Sequence, residues 1–176
     1  MLRKIDKNTG FNASEGKLIN LVDNAFLGLW SYANIRSDEG YSKNKTGKEV
    51  CDLLVVFGDD VIIFSDKSIK FNENIDISIA WKRWFRGSVI YSSRQLYGAE
   101  KFIKENPNRI YIDKDCTVKF PVEINKKSRF HLIAVTDNIS TPAKKYFNSL
   151  SEGSSATLVN AFIYDAKECL NNIFCV

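Results

Sequence analysis

Apolar residues recur at three- and four-residue intervals from Ser14 to about Ile35, at Leu18, Val22, Ala25, Phe26, Leu29 and Ala33, and this spacing predicts a helix. Ser14 suits its N-cap, and Glu15 falls in the first turn, where the helix dipole favours a negative charge. Residues 36–47 are polar and contain Gly40 and Gly47, which predicts a loop. Two short runs rich in β-branched residues follow, Val50 to Phe57 and Val61 to Phe64. Gly58-Asp59-Asp60 separates them, and together they predict a β-hairpin. After a polar loop at Asn72 to Asp76, the helical pattern resumes from about Ile79 to Asn106. It reads as two helices or one bent near Gly87, ended by Pro107.

Strand-like runs then occupy Arg109 to Ile112, Thr117 to Ile124 and Phe130 to Val135, with Pro121 requiring an edge position or a break. Beyond Thr136 the pattern weakens. Pro142 and Ser149 to Ser155 read as a linker, followed by an apolar run to the last residue. The order of elements predicts an α/β fold, a mixed central β-sheet flanked by helices. The division is a domain over residues 1–140 and a C-terminal extension over 141–176.

Composition narrows the classes of function. The chain has 176 residues, 44% of them hydrophobic, which suffices for one domain with a real core. A formal charge of +4 suits a polyanionic partner. No signal peptide or membrane span is readable, so a soluble, cytoplasmic protein without a membrane partner is expected. The four cysteines, Cys51, Cys116, Cys169 and Cys175, form no CxxC pair. His131 is the single histidine, which excludes a zinc site of ordinary Cys/His spacing. His131 sits in a strand-like run and fits a strand residue with a satisfied hydrogen bond better than a catalytic base. Neither GxxxxGK[ST] nor GxGxxG occurs. The apolar ending Asn172-Ile-Phe-Cys-Val176 leaves open docking as a final element, a homodimer contact, or continuation into a longer protein.

Candidate chemistry concentrates in the hairpin. By strand alternation, Val50, Asp52, Leu54 and Val56 share one face, as do Val61, Ile63, Ser65 and Lys67. An acid, a hydroxyl and an amine are thereby predicted at one end of the hairpin. Charged groups against so apolar a strand are expected to be paired or to bind something, and a salt bridge between Asp52 and Lys67 is the simpler alternative. In Trp81-Lys-Arg-Trp-Phe-Arg86, the aromatics take one helical face and Lys82, Arg83 and Arg86 largely the other. That pattern serves a core-facing helix with a solvated basic face, and the same cations could hold phosphates. Ser88, Ser92 and Gln95 share a stripe farther along.

Gly47-Lys-Glu-Val-Cys-Asp52-Leu-Leu-Val-Val followed by Asp60-Val-Ile-Ile-Phe-Ser-Asp-Lys67 resembles the paired motifs of the PD-(D/E)XK nucleases. In that family a first acid lies on one strand and an acid-x-lysine triplet on the next. The resemblance covers residues 14–135 and implies a restriction-endonuclease-like α-β-β-β-α-β core. It implies Mg²⁺ or Mn²⁺ as cofactor and DNA, less favourably RNA, as partner. Asp52 would be the central metal ligand, Glu15 on the preceding helix a second, and Lys67 the group that orients water or stabilises the transition state. Gln95 would be an accessory residue, and Lys82, Arg83 and Arg86 would contact the nucleic acid. The sequence departs from the family at Ser65, which stands where an acid is expected, and at Cys51, which replaces the proline. Asp66 points to the opposite face of a regular strand and would reach a metal only through a bulge. A second reading follows from Ser65: a nuclease-like module without catalysis that binds nucleic acid or protein.

Overall fold

The computed structural model describes residues 12–150 except Leu27. Helix α1 spans Ala13–Ala25, capped by Asn12, whose side-chain oxygen accepts the Glu15 N–H at 2.9 Å. The cap thus lies two residues before the predicted Ser14. Helix α1 also ends at Ala25, well before the Ile35 that its apolar spacing suggests, because Gly28 takes φ 61° and breaks the run. The rest of that run is β1, Ser31–Ser37. Leu29 and Ala33 matched the helical period by coincidence; Ala33 is buried as a strand residue instead.

After the short helix α2 (Tyr41–Asn44) come β2 (Lys48–Phe57) and β3 (Asp60–Lys67). Phe57 pairs with Asp60 across the tight turn, and Gly58 supplies its positive φ of 59°. Helix α3 (Ile77–Phe85) runs through a π-helical turn, Arg86–Ile90, into α4 (Tyr91–Glu105), so the bend predicted near Gly87 is present. Asn106 and Pro107 end it. Strands β4 (Ile110–Tyr111) and β5 (Arg129–Thr136) follow. The run from Thr117 to Ile124 does not form the predicted strand; Lys119 makes a single bridge to Tyr111. Helix α5 (Ser140–Leu150) occupies the start of the predicted linker, with Pro142 in its first turn, where a missing N–H costs nothing. Residues 151–176, including the rest of that linker, Cys169, Cys175 and the apolar ending, lie outside the described residues.

The five strands form one mixed sheet in the order β4-β1-β2-β3-β5. Strands β1, β2 and β3 are successive antiparallel neighbours, and β5 joins β3 in parallel after the helical crossover. Helices cover both faces. Leu54, Val56, Val61 and Ile63 pack against Leu96, Ala99 and Ile103 of α4. On the opposite face Leu53, Val55 and Phe64 pack against Leu18 and Val22 of α1. A hairpin buried on both faces needs apolar residues at nearly every position, which is why its sequence reads as continuous runs. Helix α5 stacks Tyr146 on Trp81 of α3 at 4.8 Å between ring centroids, so residues 141–150 of the extension pack onto the helical layer. Among the described residues no helix is long and apolar enough to cross a membrane.

Candidate functional site

The β1–β2 ladder loses its regular register where the chemistry lies. Ile35 pairs with Cys51 but Arg36 pairs with Glu49, leaving Val50 as an extra residue in β2. Asn34, between the partners of Leu53 and Cys51, takes φ 56°. Val50, Asp52, Leu54 and Val56 keep the α4 face that alternation assigns them, and the irregularities add Cys51 to that side. They also bring together Glu49 and Asp52, which an unbroken strand would set on opposite faces, and the two side chains share a hydrogen bond. Asn34 is 2% exposed, and its amide oxygen and nitrogen have no hydrogen-bond partner. Unsatisfied polar atoms on a left-handed residue are a local strain of the kind found at working sites.

Asp52 sits where β2 and β3 part. The ladder runs to Leu53 and Phe64, and then the Asp52 carboxylate accepts the Asp66 N–H at 2.6 Å in place of a backbone carbonyl. That charge-assisted bond fixes one oxygen of Asp52. Partial burial raises the Glu49 carboxyl to about 7, reinforced by the hydrogen bond to Asp52 and by Asp52's charge; Arg36, 3.6 Å from Glu49 Oε2, opposes the shift. Glu15 adds its negative charge from the N-terminus of α1. Two carboxyls forced together hold a proton between them unless a cation replaces it.

Glu49, Asp52, Ser65, Lys67 and Gln95 all line one cavity of about 720 Å³ between the open end of the hairpin and α4. Ser65 and Lys67 face α4 together, as alternation from Ile63 predicts. Asp66 does not join them. The β3–β5 register is unbroken from Asp60 to Lys67, so no bulge turns Asp66 around. Its carboxyl lies on the α1 side, where burial raises its pKa against a hydrogen bond from Ser14. The bulge is in β2 and recruits Glu49. Asp52 and Lys67 are not paired with each other; the partners of Asp52 are Asp66 N–H and Glu49.

The remaining candidates separate. Gln95 lines the cavity, whereas Ser88 and Ser92 of the same stripe are fully buried with unpaired hydroxyls. Lys82 and Arg83 on α3 and Arg86 at the start of the π-helical turn are exposed and line neither this cavity nor the smaller one beside it. His131 is tied to Asp60 at 2.9 Å at the far end of the hairpin, as a satisfied strand residue. Cys51 and Cys116 are free thiols, and burial pushes the Cys51 thiol well up, which makes it inert.

Glu49 is the residue that the alternation rule conceals. Its signal is the Glu-Val-Cys-Asp spacing at a strand entrance, which carries meaning only once the bulge is known. The donor set is two adjacent carboxyls, Glu49 and Asp52, with the Ser65 hydroxyl on the same cavity wall. Among the described residues no group of three His, Cys, Asp or Glu side chains converges tightly enough to cage an ion. A two-carboxylate arrangement nevertheless fits Mg²⁺ or Mn²⁺, which keep several water ligands and take one or two carboxylates. Comparisons with protein-family models, curated proteins and solved structures found no match.

Proposed function

We propose that this chain is a divalent-metal-dependent nuclease that hydrolyses phosphodiester bonds of DNA, with RNA the less favoured substrate. The observation that carries the reading is the Glu49–Asp52 carboxyl pair, held proton-hungry in one cavity with Lys67 and Gln95. A helix, three antiparallel strands, a helical crossover and a parallel strand also follow the order of a restriction-endonuclease-like core, with Asp52 and Lys67 on its second and third strands.

When bound, Mg²⁺ or Mn²⁺ supplies charge for the phosphate oxygens and lowers the pKa of a coordinated water. The chain's own residues do the rest. Asp52, oriented by the Asp66 N–H, presents a fixed oxygen, and Glu49 provides the second carboxylate that Ser65 does not. Glu15 contributes negative charge from the N-terminus of α1. Lys67 sets an ammonium beside the phosphate, where charge develops in the transition state. Gln95 can hydrogen-bond the substrate or the attacking water from the α4 wall.

The test is cleavage of labelled DNA with Mg²⁺ or Mn²⁺ and with EDTA, by the natural chain and by Asp52→Asn and Lys67→Ala. Cleavage that requires the cation and disappears in both variants, with the fold intact by circular dichroism, supports the nuclease; full activity in both variants refutes it. A second reading, a nuclease-like module that binds without cutting, draws on the lack of a three-donor cluster among the described residues. Nucleic-acid binding without cation-dependent cleavage would favour it.

A further inference from the structure

A second cavity, of about 450 Å³, adjoins the first and is lined by Lys67, Ile69, Gly87, Tyr91, Arg94 and Gln95. Its size falls in the range of about 300–1,000 Å³ that holds small organic ligands. Lys67 and Gln95 belong to both cavities, so the two meet at those side chains. Their linings differ in charge. The first carries the carboxyl pair, whereas the second has two cations, Lys67 and Arg94, and no carboxylate.

The helix explains how this wall forms. Tyr91, Arg94 and Gln95 stand at i, i+3 and i+4 on α4 and therefore present one face. Tyr91 is 50% exposed, and the Arg94 guanidinium lies 5.9 Å from its ring centroid. Gly87, in the π-helical turn, keeps the wall back: a Cβ there would sit 2.9 Å from Ile69 Cδ1. An exposed aromatic face, two cations and no acid make a lining for a base joined to a phosphate.

We propose that this second cavity is a nucleotide subsite that selects single-stranded DNA, placing a nucleotide next to the phosphate held at Lys67. The proposal rests on the nuclease reading for the identity of that phosphate. Tyr91 stacks on the base and Arg94 neutralises the adjoining phosphate. Base faces are open to an aromatic side chain only where the strand is unpaired, because in a duplex the neighbouring bases cover them. Stacking tolerates every base, so the subsite selects strandedness rather than sequence.

The test is fluorescence anisotropy in EDTA, where cutting is suppressed, with a labelled oligothymidylate and a duplex of equal length. The natural chain is expected to bind the single strand more tightly. Tyr91→Ala and Arg94→Ala should each weaken single-strand binding about tenfold and leave duplex binding nearly unchanged. Tyr91→Phe should restore affinity, and Arg94→Ala should also flatten the salt dependence by about one phosphate contact. Unchanged binding in both variants, equal losses on both forms of DNA, or no single-strand binding by the natural chain would overturn the proposal. Asp52→Asn separates the two claims: it should bind the oligonucleotide normally while failing to cut it. If it cuts normally with Mg²⁺, the catalytic reading falls and the anisotropy result still decides the subsite.

Discussion

At the turn end of the β2–β3 hairpin, Asp60 accepts hydrogen bonds from Arg129 at 2.6 and 2.9 Å and is tied to His131 at 2.9 Å. These partners hold its carboxyl down at about 2. At the open end, Glu49 is raised to about 7 by partial burial and by Asp52. One hairpin thus carries one acid held ionised by its neighbours Arg129 and His131 and one, Glu49, for which Arg36 does not offset burial and the charge of Asp52. Asp60 fastens β5 to the turn. The Glu49–Asp52 pair lines a cavity large enough for a ligand, and perturbed acids in clefts are where function concentrates.

The largest expected effect is on catalysis at the open end. Lys67→Ala should lower kcat about 10²–10³-fold, the usual cost of removing a group that stabilises transition-state charge. Asp60→Asn, at the turn end, should leave kcat unchanged. Single-turnover cleavage of labelled DNA compares them, and equal losses would erase the distinction between the two ends.

Next comes the frame that both ends share. Ile63 is fully buried between β2, β5 and α4, so Ile63→Ala should cost about 2–5 kcal/mol in urea unfolding. Gly47→Ala should also destabilise, because a Cβ there would lie 2.7 Å from Cys116 Sγ and 3.1 Å from Ser37 O. A stability near that of the natural chain would show that β2 can shift at its entrance, and Glu49 with it.

The smallest effects are those of pH, and their signs oppose. Glu49 has a folded pKa above its ordinary 4.5, so the folded state binds the extra proton. Its contribution to stability is present below about 4.5 and is lost as pH rises toward about 7. Asp60 has a folded pKa below its ordinary 3.8, so its contribution is present above that value and is lost as pH falls toward about 2. Urea midpoints across pH should show both slopes, with Glu49→Gln removing the first and Arg129→Ala weakening the second. A single slope that neither substitution alters would contradict this assignment of charges.

Much of the frame was legible because burial on both faces leaves a strong apolar record. Val50 to Phe57, Gly58 and Val61 to Phe64 announce the hairpin, and Pro107 announces the end of α4. What was hidden has definite causes. Strand β1 was absorbed into a helical pattern because Leu29 and Ala33 continue the spacing of α1, and only the positive φ of Gly28 breaks it. On the cavity wall, Asp52, Ser65 and Lys67 were visible from residue type and facing, and Gln95 was suggested by the family resemblance. Glu49 was not, because a bulge depends on the partner strand, here on the register change between Ile35 and Arg36. Sequence periodicity describes one strand at a time, and this site is made by two strands losing step.

Titration calorimetry with Mn²⁺ at pH 7, run in two buffers that differ in ionisation heat, tests whether the Glu49–Asp52 pair binds metal. Mn²⁺ should bind and displace the proton held by the carboxyl pair, giving a buffer-dependent heat. Binding should be lost in Asp52→Asn, and proton release should be lost in Glu49→Gln. Absence of Mn²⁺ binding, or binding that both substitutions leave intact, would contradict the Glu49–Asp52 pair as the metal-binding centre.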